Sequence, residues 1–513
     1  MINPPFKNSG LLFVYIRIVI AKIQTLLFLG LFFSIQLFSQ GINNLWLMGY
    51  EYQSGPPWGG IKMDFTGNNL NITQDNRNIN IECTNGLISD SLGQLLFISN
   101  GVYIANADND TMQNGSGLNP SYFTTGHSHF GLTLPQANLV IPFPGNSSKY
   151  YLFHETCDDY GNSYCSFYLY FSIIDMSLDS GRGAVTYKNR ILLSDSLVEG
   201  RLTACRHANG RDWWLLVHQY GTSKFFRYLI SPFGINFPWS QFIGVTRDIY
   251  FGQCAFSPDG NYYAYYEPYG DLDIFRFDRC SGLFSPMAHI YINDSAAAGG
   301  VAFSPNSNVL YVSSIQYVYQ FDLTAANIAG SKITVATYDG YYSPVPPFAS
   351  SFYLAQLAPD GKIYINCGNS TIDIHVINNP DIVGLGCDVC QHCINLGFYN
   401  GFTIPNYPNY FLGAESGSVC DSLTTGITES DLQIKFQFNP NPVTDGHFTI
   451  TYPTLKSKGE LEIINLEGKE IMKYALPEWS SIQHLVLPEL PSGIYMARMR
   501  SGSGIGSVKF LVE

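Results

Sequence analysis

Three stretches carry the reading of the fold: GQCAFSPDGNYYAYYE at 252–267, GGVAFSPNSNVLYVSS at 299–314 and YLAQLAPDGKIYINCG at 353–368. Each has a short apolar strand, a turn containing Pro with Asp or Asn, and then an aromatic-rich strand. Proline presets the first turn dihedral, while Gly or Asn tolerates the left-handed one. A third alternating strand follows each time: LDIFRFDRCSG, YVYQFDLTAA and IDIHVINNP. The turns recur near 259, 306 and 360, a period of roughly 50 residues.

Weaker copies lie upstream: GLISDSLGQLLFISNGVYIAN from 86, LVIPFPGNSSKYYLFHE from 139 and RLTACRHANGRDWWLLVHQ from 201. Six strand–turn–strand units at this spacing, with about four strands each, predict a β-propeller. In WWLLVH both strand faces are apolar, as a sheet covered on both sides requires. A seventh unit assembles from the ends of the body. NGFTIPNYPNYFLG at 400–413 reads as an innermost strand, and NNLWLMGYE and GGIKMDFTG at 43–67 read as outer strands. Pairing Thr403 with Leu47 would close the ring and remove exposed edges. Seven blades over 42–413 is the expectation, with six or eight as alternatives.

Composition agrees with a β-rich extracellular chain. Aromatics reach 15% and charged residues only 13% of 513 residues. Residues 1–40 contribute +3, and 434–513 balance eight basic against eight acidic residues. The body between therefore carries −16, within a total of −13. Such a body repels phosphate backbones and anionic lipid, which argues against nucleic acid as a partner.

At the N-terminus, Arg17 and Lys22 precede the apolar run Leu26 to Phe38 and then Ser39-Gln40. This predicts a signal peptide over 1–39. Eleven cysteines in an oxidising compartment should partly pair. Cys157 with Cys165 is one expected bond. Cys387, Cys390, His392 and Cys393 have the spacing of a Cys₃His zinc site, with a disulfide or thiols as the other reading.

Residues 414–433 are polar and rich in Ser, Thr and Gly, and read as a linker. From 434 the chain resembles the C-terminal sorting domain of type IX secretion substrates. The family's opening motif falls on Pro440, Asn441 and Pro442, its central strand and turn on Leu461, Ile463, Asn465, Gly468 and Lys469. Its LPxGIY segment is Leu490, Pro491, Gly493, Ile494 and Tyr495, and the last strand holds Lys509 where a basic pair is common. The resemblance implies a small antiparallel β-sandwich read by the type IX machinery. It also implies a secreted or outer-surface location. The repeat body resembles WD40-like and YVTN-type surface propellers, a group whose fold leaves function open.

No nucleophile elbow is present: GHSHF at 126–130 has Phe130 where Gly is required. HETCD at 154–158 lacks the second His of a zincin helix. Three constellations remain as candidates. His127 and His129 sit in an apparent long insertion, 107–135, together with Tyr122 and Phe123. CRHANGRDWW…H supplies His207, Arg211, Trp213 and His218 as binding residues. Asp108 and Asp110, with Asn114 nearby, offer alternate oxygen ligands to a metal, calcium being the cofactor they suggest.

These readings predict an exported propeller acting as a binding or interaction module for a glycan, peptide or surface-protein ligand. A metal-dependent hydrolase or lactonase working in the channel is one alternative. A structural part of a surface layer or motility apparatus is the other.

Overall fold

The computed structural model describes residues 41–421, apart from 68, 160–163, 249–250 and 345–346. It also describes residues 434–513, apart from 435, 466–468 and 502–503. The expected signal peptide, and the linker from 422 to 433, lie outside the described residues. Two compact units divide between Ser422 and Leu423. Among the described residues no helix is long and apolar enough to cross a membrane.

The first unit is a seven-bladed β-propeller. Blade 2 runs Gly86–Ser89, Leu95–Ser99, Tyr103–Asn106, Thr111–Ser116. Blade 5 runs Gln253–Phe256, Tyr262–Glu267, Asp271–Asp278, Leu283–Ile290, and blade 6 runs Gly300–Phe303, Val309–Ser314, Tyr317–Asp322, Ile333–Thr337. Blade 7 is Phe352–Leu357, Ile363–Cys367, Thr371–Ile377, Val389–Asn400, again an antiparallel four-strand meander. Blade 3 is built from Asn138–Pro142, Lys149–His154, Tyr164–Asp175 and Ala184–Leu197. Its outer strand meets that of blade 2 through a parallel bridge, Ala184 to Gln113. Blade 4 has Thr203–Arg206, Trp213–His218 and Lys224–Ser231, with two short strands against the last.

Packing follows from patterning. Every residue of Trp213–His218 and of Val309–Ser314 is buried, because both faces of each central strand meet a neighbouring blade. The SPDG-type turns recur as read: Ser257 Oγ accepts from the Tyr262 amide, and Ser304 Oγ accepts from the Val309 amide.

Ring closure differs from the sequence expectation. Blade 1 takes its three strands, Leu45–Tyr50, Gly59–Asp64 and Asn71–Asp75, from the N-terminal side alone. Residues 401–411 form no strand. Pro405 and Pro408 have no amide hydrogen to give to a ladder, so IPNYPNY cannot serve as an inner strand. The segment instead threads the channel and is bonded to six blades, blade 7 through Asn366 Nδ2, which donates to Thr403 O. Thr403 Oγ1 donates to Cys83 O before blade 2, and the Tyr407 hydroxyl donates to Leu45 O of blade 1. Asn406 Nδ2 donates to Asn138 O of blade 3 and to Leu202 O at the entry to blade 4, and Asn409 Nδ2 donates to Pro258 O of blade 5. Its exit is fixed by Arg279, whose Nη2 donates to Gly413 O, and by the Cys280–Cys420 disulfide.

The second unit packs Gln437–Asn439, His447–Thr451 and Ile482–Val486 against the sheet Glu470–Leu476, Gly459–Ile464, Gly493–Ser501, Gly504–Val512. Phe438 stacks on Phe448 and Phe510 at 4.3 and 4.1 Å. Asn441 Oδ1 accepts from the Leu511 amide at 2.8 Å and the Tyr495 hydroxyl donates to Pro491 O at 2.9 Å, so the motif residues pin the ends of this sandwich. Gly493 opens its strand and Lys509 is exposed on the last one, while Gly468 lies outside the described residues.

Candidate functional site

The turns after the inner strands and the threaded segment together leave a cavity of about 590 Å³. Inner strands contribute Thr203, Gln253, Cys254, Phe256, Phe303 and Gln356. The repeat turns add Pro258 and Pro359, the threaded segment Asn406, Tyr407 and Asn409, and the start of the propeller Asn43, Asn44 and Phe65. Seven carboxamides and five aromatic rings share its wall with Ala, Val, Leu and Pro side chains, and no lining residue among those described is Asp, Glu, Lys, Arg or His. Phe411 and Pro359 are exposed and mark the open end.

Several of these amides already work for the fold. Gln253 Oε1 accepts from the Val301 and Ala355 amides, which stitches three inner strands together. Gln136 holds Cys254 through both its amide and its carbonyl. Asn43 keeps a buried Oδ1 without a partner, and Gln356 uses only its Nε2, toward Leu357 O. These groups, with Asn44, are available to a ligand. The titratable side chains lining the cavity are held neutral. Burial pushes the Cys254 thiol up to about 12, and the Tyr407 phenol, raised by burial, donates to Leu45 O.

The residues singled out in the sequence do not converge. His207 sits in the turn before Trp213–His218, where its Nε2 bonds Cys280 O at 3.0 Å and its Nδ1 accepts from the Asn209 amide. His218 closes the same strand at its far end, about 17 Å away at the usual rise. Its Nδ1 donates to Gln219 O, and burial lowers its pKa to about 3. Arg211 pairs with Asp212 at 2.8 Å, and Trp213 is fully buried beneath the Arg206 guanidinium at 4.0 Å. This corner anchors the exiting chain: the Glu415 amide donates to Ala208 O.

The stretch 107–135 is not one long insertion. Thr111–Ser116 is the outer strand of blade 2, and Tyr122–Gly126 is a single helical turn capped by Ser121. His127 stacks on Phe123 at 4.0 Å and bonds its carbonyl, while His129 is exposed beside Phe130. Asp108 and Asp110 lie in the hairpin turn at the other end of that strand pair, with both amides on Asn106 Oδ1. Among the described residues no group of three His, Cys, Asp or Glu side chains is arranged for a metal. The zinc reading of the cysteine cluster is overturned: Cys390 and Cys393 form a disulfide, Cys387 is buried, and His392 Nε2 bonds Asp339 at 2.9 Å. The expected Cys157–Cys165 bond involves a side chain outside the described residues.

Residues 437–513 match the family described as the secretion system C-terminal sorting domain. Against curated protein sequences the chain has no match. A solved structure from Bacteroides fragilis, named as a candidate 6-phosphogluconolactonase, is 12% identical, covers 71% of this chain and 98% of its own, and has a TM-score of 0.42. A functionally unknown protein from Desulfotomaculum acetoxidans is 12% identical over 69% of this chain and 97% of its own, at 0.37. A second candidate 6-phosphogluconolactonase, from Bacteroides uniformis, is 13% identical over 70% of this chain and 98% of its own, at 0.34. No activity is carried over from them. Residues 437–513 are a type IX secretion C-terminal sorting domain, and the chain is an exported protein of the cell surface or the surrounding medium.

Proposed function

We propose that the propeller is a binding module whose channel cavity takes a neutral carbohydrate. The observation that carries this is the lining: carboxamides and aromatic rings around about 590 Å³, without a charged side chain among the described residues. Amides offer a donor and an acceptor side by side, which suits vicinal hydroxyls, and ring faces suit the apolar face of a sugar. The volume falls in the usual range of small-ligand sites. The closed thiol and phenol of Cys254 and Tyr407 favour binding over hydrolysis in this cavity.

The test is a glycan array probed with the exported protein, followed by calorimetry with the best soluble oligosaccharide. Asn43→Leu and Gln356→Leu should each weaken binding about tenfold, one lost hydrogen bond to a desolvated group apiece. A protein that binds no neutral glycan, or binds one equally well in both variants, would overturn the proposal.

A further inference from the structure

At the opposite end of the inner strands, where the connections enter each blade, lies a second set of polar groups. Its centre is Arg201, 4% exposed. Only one of its guanidinium nitrogens is bonded: Nη1 donates to Glu199 O at 2.6 Å. Nε and Nη2 have no partner. These two nitrogens form the side-on edge of a guanidinium, the pair that grips both oxygens of a carboxylate. Near them stand Glu199, Glu267 and the neutral Tyr265 phenol, and Glu155, which feels both Arg201 and Glu199. Both Glu155 oxygens and the Tyr265 hydroxyl are buried and lack a closed hydrogen bond. The Gly200 amide and the Ser166 hydroxyl lie near enough to Glu155 to favour its ionised form, against the larger effect of burial.

Arg247, close by, is bonded differently, although Arg227 also keeps two buried nitrogens, Nε and Nη1, without a partner. Arg247 is 1% exposed, its Nη2 pairs with Asp273 at 2.6 Å, and its Nη1 donates to Gly270 O and Asp271 O. Its plane lies over Tyr265 at 4.6 Å, and both of its terminal nitrogens have partners. Arg201 differs in having an open edge and in its backbone, which is left-handed at φ 56°. A bulky residue in that region is strained, and such strain persists where the surroundings enforce it. Here Gly200, also left-handed, fits against Pro135 O, where a Cβ would come within 2.0 Å. The turn thus fixes the Arg201 side chain inward. The position adjoins the cavity already described: Arg201 O accepts from Cys254 Sγ, and Cys254 and Thr203 line that cavity.

We infer that Arg201 is the anchor of a second ligand site in the channel, which takes a small carboxylate, with Glu155 and Tyr265 meeting the ligand's remaining polar atoms. Burial raises the Glu155 carboxyl well above its usual range, Glu199 to about 7 and Glu267 above its ordinary value, which weakens the repulsion that an incoming anion meets. The inference is independent of the carbohydrate reading.

The test is binding of lactate, with neutral lactamide as control, to the full exported protein. It is read by calorimetry and in wild-type crystals soaked with lactate. The expected result is density across Arg201 Nε and Nη2, no binding of lactamide, and an affinity loss on the order of a hundredfold in Arg201→Lys. Should Arg201→Lys fail to fold, the soaked wild-type crystal decides alone. Water only at the guanidinium edge, equal binding of lactamide, or undiminished binding in a folded Arg201→Lys protein would overturn the inference.

Discussion

Asn406→Ala perturbs the segment that fills the channel at its most heavily bonded residue. The amide makes three hydrogen bonds: Nδ2 to Asn138 O at 3.0 Å and to Leu202 O at 2.9 Å, and Oδ1 from Gln136 Nε2 at 3.1 Å. Asn406 is 8% exposed, so truncation strands these partners where only water from the adjoining cavity can reach them. At about 1–3 kcal/mol for each group stranded, and allowing for relaxation, the loss should be about 3–5 kcal/mol. For roughly 380 residues from Gly41 to Ser422, an unfolding entropy of about 2.1 cal/mol/K per residue converts this to a drop of about 4–6 °C. Calorimetry of the exported protein measures it, the propeller and the sorting domain being followed as separate transitions. Tyr407→Phe, which removes one bond to Leu45 O, should cost only about 1 kcal/mol. If Asn406→Ala lies within about 1 kcal/mol of wild type, the threaded segment is not part of the cooperative ring and the closure described above is wrong.

Replacing Cys280 and Cys420 by Ser opens a loop of 140 residues and should cost up to about 5 kcal/mol on loop entropy, with proteolysis then cutting first near 413–421. His154, His218 and His375 are held to a pKa of about 3 by burial. Their neutral forms therefore contribute stability that is complete above about pH 6.5 and is lost as pH falls toward 3. Glu199, raised to about 7, acts in the opposite sense between its ordinary value and 7. His154→Gln should flatten the acid limb of a denaturation series by about one proton's slope, about 1.4 kcal/mol per pH unit; an unchanged slope would mean His154 is protonated in the fold. Replacing 110–130 by a short Gly-Ser turn removes the strand Thr111–Ser116 and buried Asn119, whose Nδ2 donates to Gly101 O. The shortened protein should not give the wild-type thermal transition. Deleting 437–513 should leave a folded propeller inside the outer membrane, which cell fractionation reports; surface display without it would contradict the sorting assignment.

The blades from 252 to 400 were legible because each repeat pairs a rigid proline turn with a strand apolar on both faces, and neither feature depends on distant sequence. The sorting domain was legible from its set of motifs, of which Tyr495 locks a local turn through Pro491 O while Asn441 ties the start of the domain to Leu511 on its last strand. Ring closure departs from the sequence expectation because apolar IPNYPNYF has the pattern of an inner strand but lacks amide hydrogens at Pro405 and Pro408. The outer strand Thr111–Ser116 was missed because TMQNGS has one buried methionine and no alternation; its place comes from pairing with Tyr103–Asn106. For the site, single residues misled. His207 and His218 share a motif but sit at opposite ends of one strand. Arg201 carried a faint signal, a charged residue directly after Gly200 at a blade entry, and its open guanidinium edge arises only where blades 3, 4 and 5 meet.

The central claim is that the cavity at the turn end of the channel receives a neutral carbohydrate. Hydrogen–deuterium exchange of the exported protein, with and without the oligosaccharide chosen on the array, tests it most directly. New protection is expected, confined to 43–44, 256–258, 356–359 and 406–411, the segments that line the cavity. Protection at the outer blade strands, or at the sorting domain with the cavity unchanged, would contradict it.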